Sequence, residues 1–355
     1  MDTQQFRDQI TAASAERRPL RIRGGGSKDW YGQQPHGELL DTRAYSGIID
    51  YEPTELVITA RCGTPLDEIE AALASRNQAL AFEPPHYGAG ATLGGMVACG
   101  LSGPSRQAVG AVRDFVLGAV LMDGRGDTLR FGGQVMKNVA GYDVSRLLTG
   151  ALGTLGLMLE ISLKVLPRPV AVSSRRFAAT EAEAIGRLNE WGGQPLPISA
   201  SCWSDGVLTI RLSGAQAAVS AAEKKLGGET VVDDHAFWHS LREQTHAFFD
   251  IQGPQKALWR LSVPSVTPPL ALPGATLIEW GGAQRWLRTG ADADAGKIRS
   301  ALAGIGGHAT LYRGADKSVG VFQPLAPAVA QIHRNLKASF DPAGIFNPGR
   351  MYPDF

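Results

Sequence analysis

Glycine is concentrated in three segments of the first half of this chain, and these segments constrain its fold more than any other feature. They are RGGGSK at Arg23–Lys28, ATLGGMVACGLSGPSR at Ala91–Arg106, and the glycine-bearing run that leads into an apolar strand at Lys137–Leu166. Glycine has no Cβ, so it permits positive φ and close approach of the main chain to a large anion. Together the segments predict a site for a large, phosphate-bearing cofactor.

Length and composition set the broad class of protein. A chain of 355 residues exceeds the roughly 250–300 residues at which one core stops growing, so two domains are expected. Hydrophobic residues make up 44%, enough for a packed core and too many for disorder. The formal net charge is +1, from 35 basic and 34 acidic residues, which provides no electrostatic footprint for nucleic acid.

The cysteines and the terminal segment favour a cytoplasmic protein. Cys62, Cys99 and Cys202 lie far apart and lack the spacing of zinc or iron–sulfur ligands, so we expect small core residues in a reducing compartment. Residues 1–18 predict a polar amphipathic helix without the apolar core of a signal peptide. The most apolar run, Leu147–Leu159, is shorter than the about 20 residues of a spanning helix and is predicted to be buried.

Residues 1–85 predict strand, helix and strand units in a small α/β layer, and further strands are predicted up to a domain boundary near residue 170. Thr64 is expected to cap a helix whose first residue is Pro65, and Asp123-Gly124-Arg125-Gly126 predicts a hairpin turn. The remaining predicted elements are a helix at Thr3–Ala15 and strands at Leu20–Arg23, Glu55–Arg61 and Gly156–Leu166.

The second part of the chain has a weakly repeated order of strands and helices. A hairpin is predicted to turn at Asp205-Gly206, a proline-rich loop follows at 264–273, and Phe340–Arg350 is too rich in turn residues to be expected in the core. We expect three regions: 1–170, 171–325 and 326–355. The predicted helices are Gln216–Leu226, Asp234–Phe249, Asp292–Ala303 and Ala328–Ser339.

Two of the glycine segments suggest anion sites. Successive N–H groups at Arg23–Lys28 form a candidate nest, although an ordinary turn after a strand would have the same residues. A helix beginning at Thr92, with small Gly94, Gly95 and Ala98, suits either phosphate or close helix packing. Neither is a Walker loop, and Gly88–Gly94 lacks the preceding apolar strand of a dinucleotide fingerprint.

A second constellation lies in the later half of the chain. His235, His239, Glu243 and His246 are spaced by four, four and three residues, which predicts one helical face. A metal site or proton-handling face competes with an ordinary polar face, and HAFWH lacks the glutamate of the HExxH zinc signature, so we predict no metal. Arg242 and His246 remain candidates for binding a substrate carboxylate or handling protons.

The order of four motifs resembles a known family. RGGGSK, ATLGGMVACGLSGPSR, KNVAGYDVSRLLTGALGTLGLMLEISLKVLPRP and FDPAGIFNPGR are similar to the vanillyl-alcohol-oxidase/PCMH-type FAD-binding family. The resemblance implies an α+β fold, with a two-subdomain PCMH-type FAD-binding domain and a smaller α+β cap domain containing an antiparallel sheet. Within this family the motifs, together with EWGGAQRWL at Glu279–Leu287, are most similar to the FAD-binding subunits of bacterial glycolate oxidases.

The resemblance also implies roles for individual residues. The first glycine loop would hold the FAD pyrophosphate, and a Cβ at Gly25 would fill the space that the pyrophosphate needs. Gly153 and Ile161 would approach the adenosine half, and Asn347 would lie near the isoalloxazine. The cofactor-binding residues so implied are Arg23, Gly24, Gly25, Gly26, Ser27, Thr92, Gly94, Gly95, Ser102, Gly103, Gly153, Ile161 and Asn347.

Departures from the family pattern refine the expected function. Ser27 stands where many relatives have the histidine that bonds to flavin, which implies non-covalent FAD. Gly304–His308 lacks the Asp, Asn and second His of the metal motif of self-sufficient relatives, no Glu-His pair occurs, and Gly150–Leu155 lacks a frequent acidic residue. Activity is therefore expected only in a complex with a second flavin-binding catalytic subunit and an iron–sulfur subunit, which could attach the chain peripherally to the inner membrane.

The expected activity is FAD-dependent oxidation of glycolate, a 2-hydroxy acid, to glyoxylate. Two alternatives stay open from the sequence. One is a self-sufficient FAD oxidase or dehydrogenase for another 2-hydroxy acid. The other is a non-catalytic scaffold subunit whose FAD is structural or absent.

Overall fold

The computed structural model describes residues 2–133, 143–251, 256–314, 316–353 and 355. The chain forms two compact units. The first comprises Met1–Ser102, Gly110–Pro167 and Pro324–Phe355, and the second comprises Gly103–Val109 and Arg168–Gln323. The divisions after Pro167 and Gln323 lie close to the expected ones at 170 and 325. Residues 103–109, expected in the first domain, belong to the second unit.

Both strands and helices are distributed along the whole chain. The strands are β1 Leu20–Arg23, β2 Glu38–Asp41, β3 Ile48–Glu52, β4 Val57–Arg61, β5 Gln78–Ala79, β6 Val116–Met122, β7 Thr128–Gly132, β8 Leu157–Lys164, β9 Leu166–Pro167, β10 Ala171–Ala178, β11 Ile198–Ser204, β12 Val207–Gly214, β13 Glu229–Thr230, β14 Lys256–Ser262, β15 Ala275–Glu279, β16 Gln284–Gly290 and β17 His308–Arg313. The helices are α1 Thr3–Glu16, α2 Leu66–Ala74, α3 Leu93–Cys99, α4 Arg106–Val109, α5 Val112–Phe115, α6 Val144–Leu147, α7 Glu181–Gly192, α8 Gln216–Leu226, α9 Asp234–Arg242, α10 Ala295–Ala303 and α11 Pro327–Phe340. Among the described residues, no helix is long and apolar enough to cross a membrane.

The first unit is built on an antiparallel five-stranded sheet in the order β3-β4-β8-β6-β7. The predicted hairpin at Asp123 is confirmed, because β6 pairs with β7 and the Asp123 carboxylate accepts the N–H of Arg125 at 2.8 Å. The strand β8 lies in the centre of the sheet with six of its eight residues buried. A separate parallel pair, β1 and β2, leads into the first glycine loop.

Helix α1 packs over this parallel pair through one apolar face. Phe6, Ile10 and Ala13 recur at helical spacing, and all three are buried in a core that also contains Leu20 and Leu40. A capping box satisfies the first turn, since Asp2 accepts the N–H of Gln5 at 2.9 Å and Gln5 accepts that of Asp2 at 2.8 Å.

The C-terminal coil is a core element, so the prediction that it would lie outside the core was wrong. Ile345 is 1% exposed and Phe346 is fully buried, and both pack in the core beneath α1. Leu20 donates to the Ile345 carbonyl at 2.7 Å, and Asn347 donates to the Leu20 carbonyl at 2.9 Å. The tail therefore pairs with β1 through a single parallel bridge between Leu20 and Phe346. Turn propensity does not predict this contact, because the two residues lie far apart in the sequence.

A buried ion pair shapes the turn before that coil. The Lys337 ammonium donates at 2.7 Å to Asp341 and to the carbonyls of Thr154 and Phe346. The Asp341 carboxylate in turn accepts the N–H groups of Ile345 and Phe346 at 3.0 and 2.7 Å. Because both charges are saturated with hydrogen bonds, the pair directs the tail back to β1.

The second unit contains an antiparallel eight-stranded sheet in the order β13-β10-β12-β11-β15-β16-β14-β17. Its first half, 13-10-12-11, has the same arrangement as its second half, 17-14-16-15, read from the opposite edge. Each half thus repeats one β-strand order, and the halves join where β11 pairs with β15. The weak doubling in the sequence is confirmed, with the proline-rich loop replacing one helix of the second half.

Two local predictions in helices were wrong. Pro65, not Thr64, is the N-cap of α2, and the Thr64 hydroxyl instead accepts the Gly47 N–H at 2.9 Å. Helix α9 ends at Arg242, and a separate 3-10 turn occupies Ala247–Phe249. The helix stops because Gln244 adopts a φ of 54°, so His246 does not continue the face of His235 and His239.

Candidate functional site

The first glycine loop lines an open cleft in the first unit. The cleft, of about 520 Å³, begins where β1 ends and is bordered by helix α3 and the returning tail. A second cavity of about 390 Å³ continues from it and shares Gly95, Leu152 and Asn347. The first cleft is lined by Ile22, Arg23, Gly24, Gly25, Gly26, Ser27, Lys28, Asp29, Thr92, Gly95, Ala98, Cys99, Leu152, Asn347 and Arg350.

Three consecutive backbone donors in this loop have no partner. Within the part of the chain that the structure describes, the N–H groups of Gly25, Gly26 and Ser27 make no hydrogen bond. Gly26 has a φ of 76°, a left-handed conformation that turns the main chain between its neighbours. Successive donors in such a turn form an anion-binding nest.

Two basic side chains hold the loop in place. Arg23 donates to the Asp29 carboxylate at 2.6 Å, and its guanidinium lies where a Cβ on Gly26 would project. Lys28 is 8% exposed and donates to the His86 carbonyl at 3.1 Å. Both cations therefore brace the main chain, and Lys28 adds positive charge to the cleft while Asp29 offsets the charge of Arg23.

Arg350 braces the same loop from the tail. Its guanidinium donates to the carbonyls of Gln33, Lys28 and Asp29, the last at 2.8 Å. Arg350 is 7% exposed, and its burial lowers the pKa of the guanidinium from its usual value. Seven residues of this lining are absent from the set that the family resemblance implied: Ile22, Lys28, Asp29, Ala98, Cys99, Leu152 and Arg350.

Some of those residues had a usable sequence signal. Ala98 and Cys99 lie three and four residues after Gly95, so helical spacing places them on the face that Gly95 already marks. Arg350 lies three residues after Asn347, which the sequence already assigns to the site, and it is the cation of the same C-terminal motif. Leu152 had no such signal, because it is positioned by its backbone, with a φ of 51°.

Gly25 and Gly95 are glycines for different structural reasons. A Cβ on Gly25 would lie 1.6 Å from the Gly90 carbonyl oxygen, so this glycine is required for packing of two loops. That overturns the expectation that its Cβ would fill the cleft. Among the described residues, and apart from the backbone of its own helix, a Cβ on Gly95 would come within 4 Å of the Thr92 hydroxyl alone, at 3.2 Å, and Gly95 lines both cavities.

Thr92 caps helix α3 as predicted. It accepts the Gly95 N–H at 3.3 Å and has the extended backbone of an N-cap. Gly94 faces the sheet, where a Cβ would lie 2.8 Å from that of Cys62. Thr92 lines the first cavity, Gly94 lines the second, and α3 therefore separates the sheet from the cleft.

Three predicted cofactor residues are not among those that line either cavity. Ile161 is 1% exposed in β8, where it pairs with Ala60 and Ala119. The Ser102 hydroxyl accepts the N–H of Val112 at 3.2 Å. Gly103 belongs to the second unit, and Gly153 lines the second cavity.

The histidine constellation does not converge. His235 and His239 stack at 6.2 Å, while Glu243 pairs with Arg242 at 2.8 Å. His246 accepts the Phe248 N–H at 3.2 Å, and burial lowers the pKa of its imidazole. The first six residues of the third glycine segment, 137–142, lie outside the described residues.

Comparison with known proteins identifies the family. A family profile described as an FAD binding domain matches residues 1–132. The chain is 51% identical to the glycolate oxidase subunit GlcE of Escherichia coli strain K12 over 352 residues, covering 99% of this chain and 98% of that protein. The chain belongs to the GlcE family. This confirms the expected FAD-binding family and cofactor, and shows that Leu152, Asn347 and Arg350 complete the cleft from outside the profile match.

More distant similarities extend in two directions. The glycolate oxidase subunit GlcD of Bacillus subtilis strain 168 is 32% identical over 164 residues, 45% of this chain and 34% of that protein. A crystal structure of alkyldihydroxyacetonephosphate synthase matches 97% of this chain and 75% of its own, with a TM-score of 0.67 and 15% identity. The latter shows a shared fold, and it confirms the expected α+β class.

Proposed function

We propose that this chain is the FAD-binding E-type subunit of a glycolate oxidase complex that converts glycolate to glyoxylate. The observation that carries this proposal is the nest of free N–H groups at Gly25, Gly26 and Ser27, at the mouth of a cleft in a member of the GlcE family. Three adjacent donors beside cationic side chains match the charge and shape of a pyrophosphate.

The residues around the nest fit FAD in both charge and space. Arg350 and Lys28 supply charge beside it, and Gly95 leaves the opposite wall without a side chain. Gly153 borders the second cavity, where we place the adenosine half. Asn347 lies in the wall common to both cavities, and we place the isoalloxazine beside it. The lining provides no such support for contact of Ser102, Gly103 or Ile161 with FAD.

Bound FAD supplies a hydride acceptor for oxidation of the hydroxyl-bearing carbon of a 2-hydroxy acid. The residues of this chain bind and orient the group. The loop holds its phosphates, the aliphatic side chains of Ile22 and Leu152 exclude water along the cleft, and Asn347 rigidifies the wall by bonding to two backbone groups.

Attachment of FAD without a covalent bond is part of the proposal. The hydroxyl of Ser27 is a poor nucleophile toward flavin. The thiol of Cys99 also lines the cleft, but burial raises its pKa and keeps it protonated. Acid precipitation should therefore release all flavin as FAD, whereas flavin retained on the precipitate would contradict non-covalent binding.

Recognition of the pyrophosphate gives a direct test. The purified chain, stripped of flavin, should bind FAD at least about tenfold more tightly than riboflavin, because each charge-assisted hydrogen bond contributes about 1.5–3 kcal/mol. Equal affinity for the two would show that the nest does not hold phosphate. No flavin binding at all would favour a scaffold role.

The proposed partners are a GlcD-type flavin subunit and an iron–sulfur subunit, with peripheral attachment to the inner membrane through the complex. Support comes from the three widely spaced cysteines, two of them buried, which cannot ligate a cluster. The isolated chain should show no glycolate-dependent reduction of an artificial dye, and the three subunits together should show it. Turnover by the isolated chain would instead establish a self-sufficient oxidase.

A further inference from the structure

Residues 103–109 leave the first unit as a short excursion that begins soon after helix α3. Helix α3 ends at Cys99, with Gly100 as its C-cap in the left-handed conformation. The two ends of the excursion are held together at a neck formed by Ser102 and Val112, where the Ser102 hydroxyl accepts the Val112 N–H at 3.2 Å. Residues 95, 98 and 99 of α3 line the cleft, so the neck lies three residues beyond the cleft wall.

Residues 103–109 belong to the second unit, and four contacts with other residues of that unit hold this excursion in place. The Trp280 indole donates to the Gly103 carbonyl at 3.1 Å, and Arg106 stacks over the Trp280 ring at 4.7 Å. Arg211 donates to the Ser105 hydroxyl at 2.5 Å. A Cβ on Gly281 would lie 2.2 Å from the Gln107 amide, so Gln107 occupies the notch over this glycine.

The receiving turn, Glu279–Gly282, is locally strained. Trp280 has a φ of 53°, which bulky residues rarely adopt, and Gly281 follows with a φ of 64°. The turn is held by surrounding contacts, since the Ser201 hydroxyl accepts the Gly281 N–H at 2.9 Å and Glu279 accepts the Trp286 indole N–H at 2.6 Å. The strain is maintained where the indole meets the excursion.

We propose that Trp280 is a positioning residue for FAD, and that it acts through the excursion 103–109 on helix α3. The inference rests on the proposed function, because it takes the cleft beside α3 as the flavin site. With the excursion anchored, the C-terminal end of α3 is restrained and Gly95, Ala98 and Cys99 keep the shape of the cleft. Trp280 itself lines neither cavity.

The indole hydrogen bond can be removed with little change in ring packing. Trp280→Phe keeps an aromatic ring beneath Arg106 and removes the donor to Gly103. Its matched control is Trp203→Phe, because the Trp203 indole donates to the Ala179 carbonyl at 2.8 Å in the same unit, and neither partner of that bond belongs to residues 103–109. Both variants lose one indole–carbonyl bond, so a general loss of stability affects them equally.

The test measures the FAD dissociation constant by flavin fluorescence, together with hydrogen exchange of residues 93–99 in the flavin-free chain. Trp280→Phe should weaken FAD binding about threefold to fivefold and accelerate exchange in α3, and Trp203→Phe should change neither. Unchanged exchange and affinity in Trp280→Phe, or equal effects in the control, would overturn the proposal. If the wild-type chain binds no FAD, the exchange comparison still decides the coupling separately from the proposed function.

Discussion

The Asn347 side chain donates through Nδ2 to the Leu152 carbonyl at 2.7 Å, across 195 positions of sequence. Its Oδ1 accepts the Ile22 N–H at 2.9 Å, so one amide joins the tail, the end of β1 and the loop before β8. These three segments form one wall of the cleft. The tail is therefore part of the site through its hydrogen bonds as well as its position.

Replacement of Asn347 by Ala should lower both stability and FAD affinity. The part-buried Ile22 N–H and the buried Leu152 carbonyl would both lose their partner, which costs about 1–3 kcal/mol in the free energy of unfolding. Urea unfolding measures the first effect and fluorescence titration the second. Asn335→Ala, on an exposed face of α11, serves as the control and should leave both unchanged; a similar loss there would mean that the effect is general.

A side chain at Gly95 should enter the cleft. Gly95→Val should raise the FAD dissociation constant at least about tenfold, because Gly95 lines both cavities and, among the described residues outside its own helix backbone, its Cβ would contact the Thr92 hydroxyl alone. The variant should still fold, as judged by circular dichroism and the unfolding midpoint. The control is Gly186→Ala in α7, where a Cβ would meet no described atom within 4 Å outside the backbone of its own helix, so this variant should gain about 0.5–1 kcal/mol in stability and bind FAD normally.

FAD binding should depend on the forked guanidinium of Arg350 and not only on its positive charge. Arg350→Lys keeps a cation but cannot donate to the carbonyls of Lys28, Asp29 and Gln33 together, so the loop that presents the nest should loosen. We expect a rise in the FAD dissociation constant of about tenfold, measured by fluorescence titration. Arg334→Lys, on α11 and away from the cleft lining, is the control. Wild-type affinity in Arg350→Lys would show that charge alone suffices.

The Cys62 thiol should make the protein sensitive to alkaline pH. Burial raises the pKa of Cys62 from 9.0 to about 12, so the unfolded chain releases this proton between pH 9 and 12 while the folded chain retains it. Stability therefore falls as pH rises through that window. Between pH 8 and pH 10 ionisation of this thiol in the unfolded chain lowers the free energy of unfolding by about 1 kcal/mol.

Urea unfolding of the wild type and of Cys62→Ala at both pH values isolates this contribution. The pH 8 comparison gives the packing cost of the substitution, and the change in that difference at pH 10 gives the effect of the thiol. The variant should lose about 1 kcal/mol less than the wild type between the two pH values. Parallel losses would mean that Cys62 ionises alike in both states.

Local sequence determined many elements and the main cofactor loop. Helix α1 follows from Phe6, Ile10 and Ala13 at helical spacing, and the start of α3 follows from the capping residue Thr92. The glycines after β1 predict a nest because positive φ and free N–H groups are properties of a few adjacent residues. Such features depend on short-range sterics and hydrogen bonds, which the sequence carries directly.

Only the tertiary structure decided what meets at the cleft and why. The tail enters the core by pairing with Leu20, although Phe340–Arg350 reads as coil, because hydrogen bonds and burial against β1 outweigh turn propensity. Gly25 is required by the Gly90 carbonyl, a partner that no local pattern reveals. The excursion 103–109 belongs to the second unit through Trp280 and Arg211, which lie more than a hundred positions away. Contacts of this kind depend on how distant segments pack, which residue spacing along one segment does not encode.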